Sequence, residues 1–316
     1  MRVNELELRL VSVMRSGNHT VIEWILSLYP REKLCFLDTV AHGAHDPYTN
    51  ARDVLHLGFD DDAPLDEVRN ARKRLLLYSY EDRPNLQQPG HAFLDSVFDT
   101  EFEMQREGLV GASDRQRNVI VLRDPFSCLA GRLMVIRERA AKGGSDELKV
   151  IGDNWKALAR RAVQQMDDEK GDIVILYNRW TCDQAYRKKI AATLAGHYSE
   201  ERFRNIIDHS HARPRKGIRN RLRRTYRALR MKVARLMAWV SRSRMPVLDS
   251  ADETFQRWHF LRRDEQFRNL FRDQEILELC EQLFGDIPGA RRFVNQVNKK
   301  PLTAELPEGA TASPEA

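Results

Sequence analysis

Short apolar runs alternate along this chain with longer stretches in which apolar positions recur every three or four residues. Runs of the first kind fall at 8–13, 75–80, 118–122 and 172–177, with a weaker one at 34–37. Continuous apolar runs of this length predict strands covered on both faces. The second kind predicts helices. Val21, Ile22, Ile25, Leu26 and Tyr29 share one helical face after the first strand, and helical patterns recur near 126–140, 153–168, 179–195 and 264–284. Strand-helix alternation predicts an α/β fold with a parallel β-sheet flanked by helices on both sides. Sheets of that kind bind ligands outside the carboxyl ends of their strands, so chemistry is sought just past each apolar run.

With 316 residues the chain can bury a substantial core. We expect a single α/β domain over 1–300, with a basic helical insertion near 212–248. A disordered tail rich in Pro, Ala, Thr and Glu is expected over 301–316. Cys35, Cys128, Cys182 and Cys280 are scattered with no metal-ligand spacing, which fits a reduced compartment and leaves no metal to expect. The first residues carry acids where a signal peptide needs an apolar stretch, and no run approaches the roughly 18 apolar residues of a membrane span. A soluble, unprocessed, cytoplasmic protein is the expectation. The net charge of +6 is local: 213–244 holds 13 Lys/Arg and no Asp or Glu, so the remainder carries 6 − 13 = −7.

The strongest local signal is Ser12-Val-Met-Arg-Ser-Gly-Asn-His-Thr20, between the first strand and its helix. Such a turn offers backbone N–H groups at the positive end of a helix dipole, which suits a cluster of anionic oxygens. Gly17 permits close backbone approach, Arg15 supplies a fixed charge with bidentate reach, and Ser16, Asn18 and Thr20 add short donors. The Walker A spacing G-x-x-x-x-G-K-[ST] is absent. Taken alone, the segment fits an ordinary strand-to-helix turn capped by Asn18 or Ser16 equally well.

A second segment separates these readings. Residues 118–133 again run strand, then Arg123-Asp124-Pro125, then an amphipathic helix with the proline in its first turn. Arg123 stands at the strand's carboxyl end. Together the two segments resemble the sulfotransferase family, whose 5′-phosphosulfate loop reads strand, Lys or Arg, Ser, Gly, Thr, Thr, helix. The family's 3′-phosphate segment reads strand, Arg, a polar-Pro link, then a helix carrying a serine. The resemblance implies a P-loop NTPase-like fold and 3′-phosphoadenosine-5′-phosphosulfate (PAPS) as co-substrate. It matches Arg15, Ser16 and Gly17 to the loop, puts Asn18 and His19 where threonines are usual, and matches Arg123 to the 3′-phosphate arginine. The helix serine's place is taken by Gly131, with Ser127 and Arg132 as substitutes. Weaker likeness extends to Tyr177-Asn-Arg-Trp180 with Tyr186-Arg187, and to the helical stretch from Thr254 to Gly285.

Sulfuryl transfer needs an in-line donor, a stabilised leaving oxygen and a base for the acceptor's proton. Arg15 is the natural stabiliser. Relatives place a His or Glu near the end of the strand at 75–80, where this chain has Tyr80-Glu81-Asp82; Glu81 is the first choice of base and His19 the second. Glu81 equally suits a turn cap or a surface ion pair, Asp124 suits a helix cap, and His42, His45 and His91 suit solvated loops. The acceptor is expected to be a carbohydrate, lipid or small molecule, bound by loops near 38–64, 82–115 and 140–152.

Between 219 and 240, Leu222, Tyr226, Leu229, Val233, Leu236 and Val240 form an apolar stripe flanked by arginines. It suits docking on the core first, then an anionic membrane surface or a polyanionic glycan. Arg215-Lys216-Gly217 resembles a 3′-phosphate tripeptide of cytosolic sulfotransferases, without the Gly-Asp-Trp expected downstream. Nucleic acid is not expected as a partner. The competing function is a non-catalytic nucleic-acid or membrane adaptor built on this stripe, with a degenerate phosphate loop. A P-loop kinase is weakened by the missing Lys-[Ser/Thr].

Overall fold

A computed structural model describes residues 2–41, 46–60, 63–82, 93–139, 145–166, 168, 171–212, 257–287 and 289–298. Its strands are β1 (Arg2–Ser12), β2 (Leu34–Asp38), β3 (Asp53–Leu57), β4 (Lys73–Glu81), β5 (Ala112–Leu122) and β6 (Ile173–Leu176). They form one six-stranded sheet in the order β3-β2-β4-β1-β5-β6. β1 pairs in parallel with both β4 and β5, β2 with β4, and β6 with β5. β3 runs antiparallel to β2 at one edge. The fold is therefore α/β with a mostly parallel sheet, as the alternation of patterns predicts. The antiparallel edge strand is additional: its half-exposed, charged sequence carries no continuous apolar run.

Helices cover both faces. They are α1 (Asn18–Ser27), α2 (Pro47–Asn50), α3 (Leu65–Asn70), α4 (Phe93–Val97), α5 (Thr100–Val110), α6 (Pro125–Arg139) and α7 (Ser145–Gln165). Later in the chain come α8 (Tyr177–Cys182), α9 (Gln184–Thr193), α10 (Glu200–Ala212), a 3-10 helix at Arg257–Leu261, α11 (Glu265–Leu270), α12 (Gln274–Phe284) and α13 (Ala290–Asn298). Leu6, Leu8 and Leu10 of β1 pack with Val21, Ile22 and Ile25 of α1 on one face. Val11 and Val13 pack with Leu129, Leu133 and Trp155 of α6 and α7 on the other. Phe126 of α6 stacks on Phe271 at a centroid distance of 4.4 Å, which ties the C-terminal helices to that second face.

Two expected helices are each divided at an aspartate. Asp183 accepts from the Tyr186 N–H at 2.9 Å and starts α9 afresh. Asp273 accepts from the Glu275 N–H at 3.0 Å and starts α12. An N-cap aspartate needs extended backbone, which ends the preceding helix.

β1 begins six residues earlier than its apolar run, because its charges are buried in pairs. Glu7 accepts from the Tyr78 hydroxyl at 2.7 Å and pairs with Arg106. Arg9 donates to Asn118 Oδ1 at 3.0 Å and pairs with Glu103. Buried charges are tolerated only when so satisfied.

The register aligns Ser12 of β1 with Glu81 of β4 on one side and Val121 of β5 on the other. The residues immediately after β1, β4 and β5 thus emerge side by side along one edge of the sheet. Among the described residues no helix is long and apolar enough to cross a membrane. The basic stripe, Arg215-Lys216-Gly217, His42, His45, His91 and the 301–316 tail lie outside the described residues.

Candidate functional site

The turn from β1 into α1 is built on two left-handed residues. Arg15 has φ +76° and Gly17 φ +87°, and between them the Ser16 N–H closes the turn on Val13 O at 3.2 Å. Only glycine serves at 17. A Cβ there would lie 2.2 Å from Cε2 of Tyr177, so the backbone rides directly on that ring. No side chain caps α1 and no acid occupies its first turn. The Thr20 N–H donates to Gly17 O at 3.1 Å, while the N–H groups before it in the first turn carry the positive end of the dipole, an end whose electrostatics suit an anion. The side chain of Arg15 is exposed, while Ser16 is fully buried and Asn18 nearly so. The Ser16 hydroxyl has no hydrogen-bond partner among the described residues.

Beneath the turn lies a clamp that sequence reasoning missed. The Met14 N–H donates to Asp82 Oδ1 at 2.5 Å, and Arg132 donates to Asp82 O at 3.2 Å with a nitrogen 3.6 Å from Oδ2. Both side chains are buried, so Arg132 serves the loop's foundation. Burial pushes the Asp82 carboxyl up to about 6, against the pull of Arg132 and the Met14 N–H. An acid whose folded pKa lies above its unfolded value stabilises the fold fully below the unfolded value, here 3.8, and loses that contribution as pH rises through about 6. Asp82→Asn cannot ionise. Its melting temperature should therefore gain on wild type between about pH 4 and 7, by up to ~3 kcal/mol equivalent. A gap that stays constant over that window would refute this account.

At the tip of β5, Arg123 is 7% exposed and its guanidinium lies 5.2 Å from the centroid of the Tyr177 ring. Its carbonyl accepts from Trp155 Nε1 at 3.0 Å, which fixes its backbone from α7. Asp124 caps α6 by accepting from the Ser127 N–H at 2.8 Å. The same carboxylate accepts from Asn178 Nδ2 at 2.9 Å, and the Asp124 N–H returns to Asn178 Oδ1 at 3.1 Å. Thus Asp124 is a cap, and Asn178 of the Tyr-Asn-Arg-Trp run locks the β5 tip to the β6 tip. Ser127 is buried on the first turn of α6.

Gly131 faces the stem of Arg15. A Cβ there would stand 3.3 Å from Arg15 Cβ and 3.4 Å from Cγ, so the missing side chain gives Arg15 room to cross α6. The Tyr186 hydroxyl donates to Val174 O at 2.8 Å and accepts from the Leu176 N–H at 3.1 Å, sealing the β6 edge. Arg187 is buried and pairs with Glu200.

Beyond β4 and β2 lies an acid-base group. Glu81, 4% exposed, accepts from Asn18 Nδ2 at 2.6 Å. His19 is half exposed, with Nε2 3.6 Å from Glu81 Oε1 and Nδ1 4.0 Å from Asp38 Oδ1. Asp38 accepts from the Thr39 hydroxyl at 2.8 Å and pairs with Arg52. Tyr80 points the other way and packs on Tyr78 in the core, 6.0 Å between centroids. Sequence reasoning overlooked Asp38, whose only signal was its position at a strand's carboxyl end. A cavity of about 710 Å³ opens elsewhere, beside edge strand β6, lined by Asp168, Asp172, Arg179, Tyr186 and Lys189 but by no residue of the loop.

These features describe an α/β protein whose adjacent parallel strand tips gather an uncapped helix terminus, a buried arginine and an imidazole flanked by carboxylates. No family model matches the chain, and no curated protein matches it. Twelve chains of solved structures are similar, among them these two. One is mouse sulfotransferase SULT7A1 complexed with PAP, at 13% identity over 69% of each chain with a TM-score of 0.42. The other is the sulfotransferase domain of the Synechococcus PCC 7002 olefin synthase, at 12% identity over 91% of this chain and 98% of that one, TM-score 0.45.

Proposed function

We propose that this chain is a PAPS-dependent sulfotransferase, moving a sulfuryl group to a hydroxyl or amine of a carbohydrate, lipid or small-molecule acceptor. One observation carries the reading: the Tyr177 ring packs against Gly17 and lies 5.2 Å from the Arg123 guanidinium. It ties an anion-binding helix terminus on β1 to a buried cation on neighbouring β5. A ligand fitting both sites carries anionic groups at two ends, as a doubly phosphorylated nucleoside does, and the buried Tyr177 ring serves as the spacer that fixes the distance between the two sites.

In this reading the α1 amides and Arg15 hold the 5′-phosphosulfate, and Arg123 holds the 3′-phosphate with help from the first turn of α6. As the acceptor attacks sulfur, the sulfur–oxygen bond to the 5′-phosphate breaks and negative charge grows on the leaving oxygen. Arg15 and the helix terminus stabilise that charge without reorganising. The acceptor's proton goes to a group beside the loop, where Glu81 and His19 stand.

Thermal-shift measurement tests this directly. Adenosine-3′,5′-bisphosphate at about a hundred times its dissociation constant adds roughly 2.7 kcal/mol of stability, several degrees in melting temperature. ATP and GTP at equal concentration should add far less. A shift produced by ATP or GTP and not by the bisphosphate would sink the proposal.

A further inference from the structure

We infer that His19 is the proton acceptor of the transfer step, and that Asp38 and Glu81 are positioning residues holding its imidazole from two different strands. The inference rests on the sulfotransferase reading and specifies which side chain performs its proton transfer.

Reach separates the two candidate bases. Glu81 is 4% exposed and its Oε1 already accepts a 2.6 Å bond from Asn18, whereas the His19 side chain is 58% exposed. A base must come within hydrogen-bond distance of the proton it removes. His19 occupies the first turn of α1, one residue beyond Asn18, so its ring stands beside the amides that hold the donor.

The surroundings suit an imidazole that gains charge. Nε2 lies 3.6 Å from Glu81 at the end of β4, and Nδ1 lies 4.0 Å from Asp38 at the end of β2. Asp38 is itself held by the Thr39 hydroxyl, by the Ser79 hydroxyl at 3.4 Å and by Arg52. Among the described residues, the carboxylates within 4.0 Å of the ring are Asp38 and Glu81, with Arg52 behind Asp38, Arg15 in the same loop and Glu23 one turn further along α1. Two fixed carboxylates orient a histidine and stabilise its imidazolium, as the carboxylate does in hydrolase triads. The separations exceed hydrogen-bond length and become ion pairs only when the imidazole is protonated, so the two carboxylates act on the ring as it gains the proton, and a modest turn of the ring frees Nε2 to reach the acceptor.

The step balances. The acceptor's O–H or N–H bond breaks, its proton passes to Nε2, and the electron pair forms the new bond to sulfur. The pair of the cleaved sulfur–oxygen bond leaves with adenosine-3′,5′-bisphosphate. The imidazolium then returns its proton to water.

The full-length chain and its His19→Gln, Glu81→Gln and Asp38→Asn variants test this by three readouts: bisphosphate affinity, PAPS turnover against pH with water or ethanol as acceptor, neither of which ionises in the range measured, and NMR titration of the His19 ring. We expect His19→Gln to bind the bisphosphate within about threefold of wild type. Its turnover should fall by roughly 10²–10⁴ and lose the acid limb of the pH profile. Added imidazole should restore part of the rate to His19→Ala. Glu81→Gln and Asp38→Asn should keep the limb but move it, and the ring titration, to lower pH. The inference fails if His19→Gln turns over within about threefold of wild type, or if Glu81→Gln is the variant that erases the limb. If wild type turns over neither acceptor, the titration decides: a ring unmoved in both carboxylate variants overturns the inference. A wild-type chain that does not bind the bisphosphate instead refutes the sulfotransferase reading, and the inference falls with it.

Discussion

Arg123→Ala is expected to bind adenosine-3′,5′-bisphosphate about a hundredfold more weakly than wild type. Charge-assisted hydrogen bonds to a phosphate contribute about 1.5–3 kcal/mol each, and tenfold in affinity is about 1.4 kcal/mol. The guanidinium is well placed for such bonds, since burial removes competing water and strengthens them. Its backbone is held by Trp155 and its neighbour Asp124 by Asn178, so the tip of β5 keeps its shape when the side chain is cut back. Arg123→Lys should recover only part of the loss, because an ammonium lacks the planar fork. Calorimetric titration provides the measurement, and equal affinities in wild type and Arg123→Ala would end the assignment. Arg15→Ala should weaken binding less, its side chain being exposed, and slow transfer more, because the proposed mechanism sets it against the oxygen on which charge develops.

Gly17→Ala should damage the fold and the site together. A left-handed residue with a Cβ costs about 1–2 kcal/mol, and forcing extra atoms into a packed region costs about 1–3 kcal/mol more. Both apply here, since φ is +87° and the new carbon would fall 2.2 Å from the Tyr177 ring. That ring cannot easily retreat: it packs against Trp180 with centroids 5.6 Å apart, and Trp180 is itself wedged against Trp24. We expect a loss of about 2–5 kcal/mol in chemical denaturation, with bisphosphate binding abolished as the turn shifts. Tyr177→Ala in the same background should return the steric part and leave the backbone part. A Gly17→Ala protein of wild-type stability would show that the turn and the ring are not in contact.

Much of the site was legible because its chemistry sits just past apolar runs. Arg15, Gly17 and Arg123 announce themselves by their place between a strand and a helix. Glu81 was legible as the residue just past a strand, and Asp124 as a cap before a proline. Trp155, Asn178, Asp82 and Asp38 were not, since each acts on a partner far along the chain. Asn178 meets Asp124 across a separation of 54 residues, and Met14 meets Asp82 across 68. Gly131 was legible only as a departure from a pattern; its packing against Arg15 supplies the physical reason.

By itself the sequence determined the α/β class, four of the parallel strands and the placing of Arg15 and Arg123 at strand tips, because these depend on local periodicity and on the residues just past each apolar run. The order β3-β2-β4-β1-β5-β6 came only with the tertiary structure, and with it the adjacency of the tips of β1, β4 and β5. So did the true start of β1. Glu7 and Arg9 break an apolar pattern, and they can be buried only because Tyr78, Arg106, Asn118 and Glu103 arrive from other elements to satisfy them. The same holds for the proposed base. The sequence puts Glu81 first and His19 second, and solvent reach, which only packing sets, reverses that order by burying the carboxylate and exposing the imidazole.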